Sequence, residues 1–368
     1  MLRLEQRPTP SAGMRWVSPL IAVLLTVLTG LLMFALLGKD PWRGFEVFFI
    51  NPVKSTYALS ELFLKATPLA LCAAGLAVGF RANVWNIGAE GQFILGSIFA
   101  TVIALYVGPY PVLTLFLMVI AGLAGGALWA AIPAFLKTRF NASEILVSLM
   151  LVYVADLLVS WLVFGPLRDP MGLNFPQTVM FESDALLPVL VPGTRLNLVL
   201  GLVVLVLTAT YMLMYRTHLG FKMRVAGESA KAARYAGVPA KGMIWLGLLI
   251  GGACAGLAGM AEVAGPMGQL TDKVSSGYGF AAIIVAFVGR LHPVGIAFAS
   301  LLMALFFIGG EQSQQYLALP GSISMVFQGL LLFYLLACDV LIGFRVRWGH
   351  RRSAALEPLG SLAEGTAP

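Results

Sequence analysis

The sequence predicts an all-α integral membrane protein of about ten transmembrane helices, with both termini cytoplasmic. Two observations carry this. Apolar residues make up 59% of the 368-residue chain and charged residues only 11%, against about a quarter in soluble domains. The apolar residues also gather in runs long enough to cross a bilayer. A mean hydropathy of +0.88 reflects more apolar surface than one water-soluble core of this length can cover. Lipid must be the solvent for much of the chain.

A crossing helix needs about 20 mostly apolar residues. Taken in order, such runs fall near 17–37, 62–80, 86–107, 111–136, 144–164, 197–215, 242–264, 278–291, 294–310 and 322–342. The first is read as an uncleaved helix: it exceeds the usual signal-peptide core and no A-x-A site follows it. The eighth and ninth are short and would also suit a hairpin crossing only part of the bilayer, which sets a range of eight to ten crossings. Segments 38–60 and 165–196 carry Pro, aromatics and balanced charge and predict interfacial caps. With the N-terminus inside, 17 Lys and Arg fall on cytoplasmic segments and 7 outside, the asymmetry of the positive-inside rule. Residues 1–345 then form a single transmembrane domain, and 346–368 a basic cytoplasmic tail of disordered composition.

The same residues exclude other classes. Cys72, Cys254 and Cys338 lie apart inside apolar runs, and His218, His292 and His350 neighbour no thiol or carboxylate, so neither a disulfide nor a metal site is expected. The net charge of +7 collects at helix ends, which marks topology rather than nucleic-acid binding. Asn141-Ala-Ser143 fits a glycosylation acceptor but falls on the inner side. No Ser/His, His/Glu or paired-Asp constellation points to an enzyme.

Ionisable groups at membrane depth cost about 3 kcal/mol or more unless partnered. Glu90, Glu144, Asp156, Glu262 and Glu311 are therefore informative. Glu90 lies in Asn83-Val-Trp-Asn-Ile-Gly-Ala-Glu-Gly-Gln92, between two apolar stretches. Gly88 and Gly91 each lower helix propensity by about 1 kcal/mol and allow a local break or close backbone approach. Unwound backbone at this depth survives only where it is buried in protein or lines a wet cavity. Asn83, Asn86, Glu90 and Gln92, beside the flat walls of Trp85 and Phe93, thus predict the lining of a pathway for a neutral hydroxylated or heterocyclic solute. The competing reading is a polar clamp between helices. Glu311-Gln-Ser-Gln-Gln315 either marks the outer mouth of that pathway or is a solvated loop. Glu144 follows Ser143 and suits a helix start, and Asp156, in mid-span, is expected to pair with a neighbouring amide, the alternative being that it faces the pathway. Leu71–Gly79 and Ala253–Met260 share a Cys-Ala(-Ala)-Gly-Leu-Ala string, each followed by Gly-x-x-Gly-Gln and a large apolar residue. One helix runs inward and the other outward, as an inverted repeat requires.

The longest inner loop, 216–241, contains a second candidate. Ser229 caps a short helix, Ala230–Ala236 favour it, and Gly237 with Pro239 ends it. About two turns are too short to stand alone. Lys231, Ala232, Ala233, Arg234 and Tyr235, displayed between Ser229 and Gly237, predict a knob for a partner's groove; a plain polar connector is the alternative.

These stretches resemble a known family: the permeases of bacterial branched-chain amino acid, ribose and simple sugar ABC importers, and among them the nucleoside-type systems served by basic membrane lipoprotein receptors. The likeness is carried by Phe80-Arg-Ala-Asn-Val-Trp-Asn-Ile-Gly-Ala-Glu-Gly-Gln-Phe93, by Gly220-Phe-Lys-Met-Arg-Val-Ala-Gly-Glu228 with Ala232-Ala-Arg-Tyr-Ala-Gly237, and by Gly277-Tyr-Gly-Phe-Ala-Ala-Ile-Ile-Val-Ala-Phe-Val-Gly-Arg290. It implies a multi-pass subunit of a bacterial cytoplasmic membrane, with a pathway between this chain and a second, different permease subunit. The 229–237 helix would dock on an ABC ATPase that binds ATP and magnesium, and an outer lipoprotein would deliver a nucleoside or a ribose-like sugar. This chain itself carries no G-x-x-x-x-G-K-[ST] and is expected to bind no cofactor. A self-sufficient secondary transporter is the rival reading, with Glu90 or Asp156 as its coupling carboxylate.

Overall fold

Helices stand at all ten predicted crossings. The computed structural model describes residues 2–6, 12–107 and 110–348. Its elements are β1 (Leu2–Gln6), α1 (Ala12–Leu36), α2 (Pro41–Phe45), α3 (Thr56–Arg81), α4 (Ala89–Tyr106), α5 (Pro111–Phe140), α6 (Glu144–Phe164), α7 (Val199–Arg216), α8 (His218–Glu228), α9 (Ala230–Tyr235), α10 (Ala240–Glu262), α11 (Tyr278–Val288), α12 (Pro293–Leu317), α13 (Ile323–Gly343) and β2 (Phe344–Trp348). Among the described residues nine helices are long and apolar enough to cross a membrane, and α11 is a shorter apolar one. Of the tail expected over 346–368, the first three residues lie in β2 and residues 349–368 lie outside the described residues.

The chain divides into two compact units. In the smaller, residues up to Thr29 meet those from Leu330 onward. The Ser18 hydroxyl donates to Asp339 Oδ1 at 2.6 Å and the Thr29 and Tyr334 hydroxyls bond at 2.7 Å, so α1 and α13 are joined by side-chain hydrogen bonds. β1 pairs antiparallel with β2, Leu2 opposite Trp348 and Gln6 opposite Phe344. The sequence reading did not foresee this ribbon, although Leu2-Arg-Leu and Phe344-Arg-Val-Arg-Trp alternate with the period of two that strands require. The pairing has a topological consequence. Two chain ends hydrogen-bonded to each other lie on one side of the membrane, so the number of crossings is even. Beside the nine long helices of the described residues, a tenth crossing segment is then required, and α11 is the one further apolar helix among them.

The larger unit runs from Gly30 to Gly329. Its centre is α3, buried at every position from Ala66 to Gly79, as a helix apolar all round must be. α10 lies antiparallel against it: a Cβ on Gly75 would meet Cys254 and Gly251, and one on Gly79 would meet Gly247. The two Cys-Ala-Gly-Leu-Ala strings thus meet at the α3–α10 contact.

Small residues let α10 come equally close to α4 and α5, the packing that replaces hydrophobic drive inside a membrane. A Cβ on Gly256 would run into the Gly122 carbonyl and the Gly126 backbone of α5, and one on Gly96 of α4 into Gly256 itself. Overpacking costs about 1–3 kcal/mol where neighbours can shift, and here the neighbours are backbone on two sides. Gly256→Val is expected to lower the thermal midpoint of the detergent-solubilised protein sharply. Gly201→Val, on the exposed face of α7 with open space around it, should leave that midpoint unchanged.

The predicted caps are present. Between α2 and α3 a π turn (Glu46–Ile50) and a 3-10 turn (Asn51–Val53) place Phe48 against Phe327, with ring centroids 4.2 Å apart. Residues 177–187 run beside the π turn (Val263–Met267) and the irregular chain that follow α10: the N–H groups of Thr178, Phe181 and Leu187 donate to the carbonyls of Leu270, Gly268 and Ala264 at 2.8–2.9 Å. That pairing satisfies irregular backbone which hydrocarbon would not tolerate.

Candidate functional site

The polar stretch after α3 divides into an exposed beginning and a sealed end. Arg81 closes α3, and Asn83 turns the chain with φ of 55°. Val84–Ile87 is irregular, and α4 begins at Ala89 rather than at 86. The delay has a local cause: Asn86 Oδ1 accepts from the Gly88 N–H at 3.1 Å, an Asx turn that competes with helix. The Asn86 and Gln92 amides then bond to each other reciprocally, at 2.8 and 3.0 Å, and each is 1% exposed. Ser148 of α6 accepts from the Ile87 N–H.

Glu90 has a more specific task. Its carboxylate accepts from the Gly277 N–H at 3.0 Å and from the Gly279 N–H at 2.6 Å, at the start of α11. The first N–H groups of any helix lack intrahelical partners, and the helix dipole favours an anion there. A carboxylate from α4 thus caps α11, with Phe93 and Tyr278 in ring contact beside it. Asn86, Glu90, Gln92 and Phe93 are buried, and none of them is a wall of the inner or the outer cavity described below. Glu90 bonds across to α11, whereas Asn86 and Gln92 bond to each other within one segment.

Asn83 and Trp85 stand apart from them, in a cavity of about 320 Å³ at the inner end, with Lys137, Glu144 and Ala226 among its walls. Trp85 stacks on Phe287 of α11, with centroids 5.8 Å apart, and its indole N–H donates to Asn83 Oδ1 at 3.1 Å. Glu144 pairs with Lys137 at 2.8 Å, and Ser143 caps α6.

Glu311 is neither a loop residue nor close to the clamp. α12 continues to Leu317, so the whole 311–315 knot is helical. One face of it lines an outer cavity of about 380 Å³. Opposite stand Tyr57, Glu61 and Lys65, one stripe of α3 at i, i+4 and i+8, with Arg195 from the 165–198 segment and Glu262 from the end of α10. Lys65 Nζ lies 3.0 Å from Glu311 Oε1 and 5.5 Å from the centre of the Tyr278 ring. Arg195 Nε donates to Glu61 Oε1 at 3.0 Å, and that bond raises the guanidinium above its ordinary value. Gln312 Oε1 is a buried acceptor with no hydrogen-bond partner among the described residues. The cavity thus offers donors and acceptors of both signs with little net charge. Gln312 and Gln315 belong to the polar knot singled out in the sequence; Glu61, Lys65 and Arg195 were not, although the i, i+4 spacing of Glu61 and Lys65 inside an apolar helix was there to be read.

The inner loop 216–241 folds into two helices. α8 was not foreseen; α9 is shorter than the two turns expected, with the Ser229 hydroxyl accepting from the Ala232 N–H at 3.2 Å. Tyr235 is 94% exposed, Lys231, Ala232, Arg234 and Gly237 are exposed, and Ala233 is fully buried. Gly237 takes φ of 71° and ends the helix. Gly227 of α8 lies so close to the Arg81 carbonyl and Ala82 that a Cβ would collide with them, while Met223 reaches toward Gly247.

Long apolar helices packed through glycines, with a polar cavity between α3, α10 and α12, are the build of a solute permease. Residues 58–336 match the family described as branched-chain amino acid transport system / permease component, and the chain belongs to that family. It is 35% identical to the glucose ABC transporter permease protein TsgB13 of Haloferax volcanii, over 94% of this chain and 93% of that one. It is 28% identical to the nucleoside ABC transporter permease protein NupB of Lactococcus lactis, over 86% and 89%. It is 30% identical to the guanosine ABC transporter permease protein NupP of Bacillus subtilis, over 79% and 84%. In the last two organisms a second, more distant relative is likewise named as a nucleoside or guanosine permease protein.

Proposed function

We propose that this chain is the membrane-spanning subunit of an ABC importer in a bacterial cytoplasmic membrane, and that it passes an uncharged, hydroxylated solute inward. The observation that carries the reading is the outer cavity. Glu61, Glu262 and Glu311 face Lys65 and Arg195 there, with Gln312 left unpartnered, a donor–acceptor set matched to hydroxyls rather than to a net charge. The names of the relatives support two solute classes, a nucleoside and a simple sugar. Paired permease relatives within single organisms support a second, different permease subunit. ATP and magnesium would be held by a separate ATPase, and an outer binding lipoprotein would load the cavity.

The proposed coupling runs through α9. Exposed Tyr235 and Ala232 would enter a groove of the ATPase, and the close contacts of α8 at Arg81, Ala82 and Gly247 would pass its movement to the inner ends of α3 and α10. Arg81 in turn sits over the Tyr215 ring, 4.3 Å from its centre, and reaches the Leu291 carbonyl at 3.4 Å. α7 and the α11–α12 turn would therefore move with it. Two facings with different affinity for the solute would complete the cycle.

Gln312→Ala combined with Glu311→Gln is expected to cut uptake of labelled nucleoside about tenfold, since one lost hydrogen bond to a bound solute is worth about 1.4 kcal/mol. Uptake in cells carrying the complete transporter measures this. Competition by excess unlabelled nucleoside and not by glucose identifies the first reading, and the reverse pattern the second. Unchanged uptake by the double variant would remove the outer cavity from the pathway.

A further inference from the structure

Asp156 is out of place for a helix that faces lipid. α6 runs from Glu144, paired with Lys137 at the inner end, to Phe164. At 1.5 Å per residue Asp156 stands about 18 Å from the inner end of the helix and about 12 Å from the outer. It is exposed, and no hydrogen bond or ion pair reaches it from the described residues. The opposite side of α6 is spoken for: Val152, Ala155, Val159 and Val163 are buried, and Gly91 of α4 lies against Val152. Around Asp156 the exposed residues are Met150, Tyr153, Leu157 and Trp161.

Other outward faces of the chain show what lipid contact looks like here. α1 exposes Leu20, Leu24, Leu28, Leu32 and Leu36 at a strict spacing of four, and α5 exposes Val112, Leu113, Phe116, Ile120 and Leu128. Among the described residues Asp156 is the one ionisable side chain exposed in the middle of a crossing helix. Hydrocarbon offers a carboxylate no donor, and such groups face protein or water rather than acyl chains.

We infer that the Tyr153–Asp156–Leu157 face of α6 is the contact with the second, different permease subunit, and that Asp156 receives a hydrogen bond from a basic or amide side chain of that subunit at the same depth. The inference rests on the reading of the chain as one of two permease subunits. Charge argues for a different chain rather than a second copy. A two-fold axis on this face would bring two Asp156 carboxylates together at one depth, and like charges in a poor dielectric repel strongly.

The test uses the complete transporter, purified through a tag on this chain. Cys72, Cys254 and Cys338 are replaced by Ser, and single cysteines are placed at Tyr153, Leu157 and, as controls, Leu24 and Leu205. A short bis-maleimide is expected to join the second permease to positions 153 and 157 and to neither control. Asp156→Leu, a change that favours membrane insertion, is expected to reduce recovery of the second permease at least tenfold while the ATPase still co-purifies. A second permease that co-purifies but links only to the controls would overturn the assignment. So would a product of two copies of this chain joined through 153 or 157, or normal recovery with Asp156→Leu. Absence of any ATPase and second permease from the untreated preparation is a separate result, and it strikes the importer reading itself.

Discussion

Glu90→Leu is expected to leave little folded protein, and Glu90→Gln an intermediate amount. Two backbone N–H groups at the start of α11 depend on the Glu90 carboxylate. Each buried donor left without a partner costs about 1–3 kcal/mol, so the Leu variant loses about 2–6 kcal/mol, and the attraction between anion and helix dipole goes with it. Glutamine keeps one acceptor oxygen and the side-chain shape, and should recover part of the loss. Thermal midpoints by fluorescence-detected gel filtration would rank wild type above Gln above Leu. A pathway carboxylate would give a different order: both variants would fold normally and both would fail in uptake. Wild-type stability of the Leu variant would return Glu90 to the substrate route and leave α11 without a cap.

The contrast between these outcomes shows what the sequence could and could not convey. Ten runs of apolar residues were legible because hydrocarbon demands length and composition, and both are local properties. Glu90 was legible as an anomaly but not as a cap, because its partners Gly277 and Gly279 lie 187 and 189 residues away. Spacing along one helix carries no trace of the turn it meets. Asn86 and Gln92 were read as pathway lining or as a clamp between helices, yet they pair with each other across six residues. The outer cavity was half visible. Glu311 stood out inside a polar knot, whereas Lys65 and Arg195 had been counted only as outer charges. Their role appears once α3 and α12 are seen side by side, with Lys65 3.0 Å from Glu311. The β1–β2 ribbon was missed for a simpler reason: its arginines were read for topology, and their alternation with apolar neighbours was not.

Tyr235→Asp together with Ala232→Glu is expected to uncouple the transporter. Both side chains are exposed on α9, a six-residue helix held by the Ser229 cap and closed at Gly237. Neither supports the fold, so insertion and the thermal midpoint should stay at wild-type values. If α9 seats in an ATPase groove, two carboxylates there would be desolvated without partners, at several kcal/mol of lost affinity. Uptake should fall by at least tenfold, and hydrolysis of ATP by the reconstituted complex should no longer respond to loaded binding protein. Ala233→Glu is a poor substitute for this experiment: Ala233 is fully buried, and a charge there would disturb α9 itself. Ser229→Ala provides the graded companion, since a lost helix cap costs about 1 kcal/mol and should weaken coupling without abolishing it. Normal uptake in the Tyr235 and Ala232 double variant would reduce α9 to a connector. The ATPase would then have to engage α8 or the inner ends of the crossing helices directly.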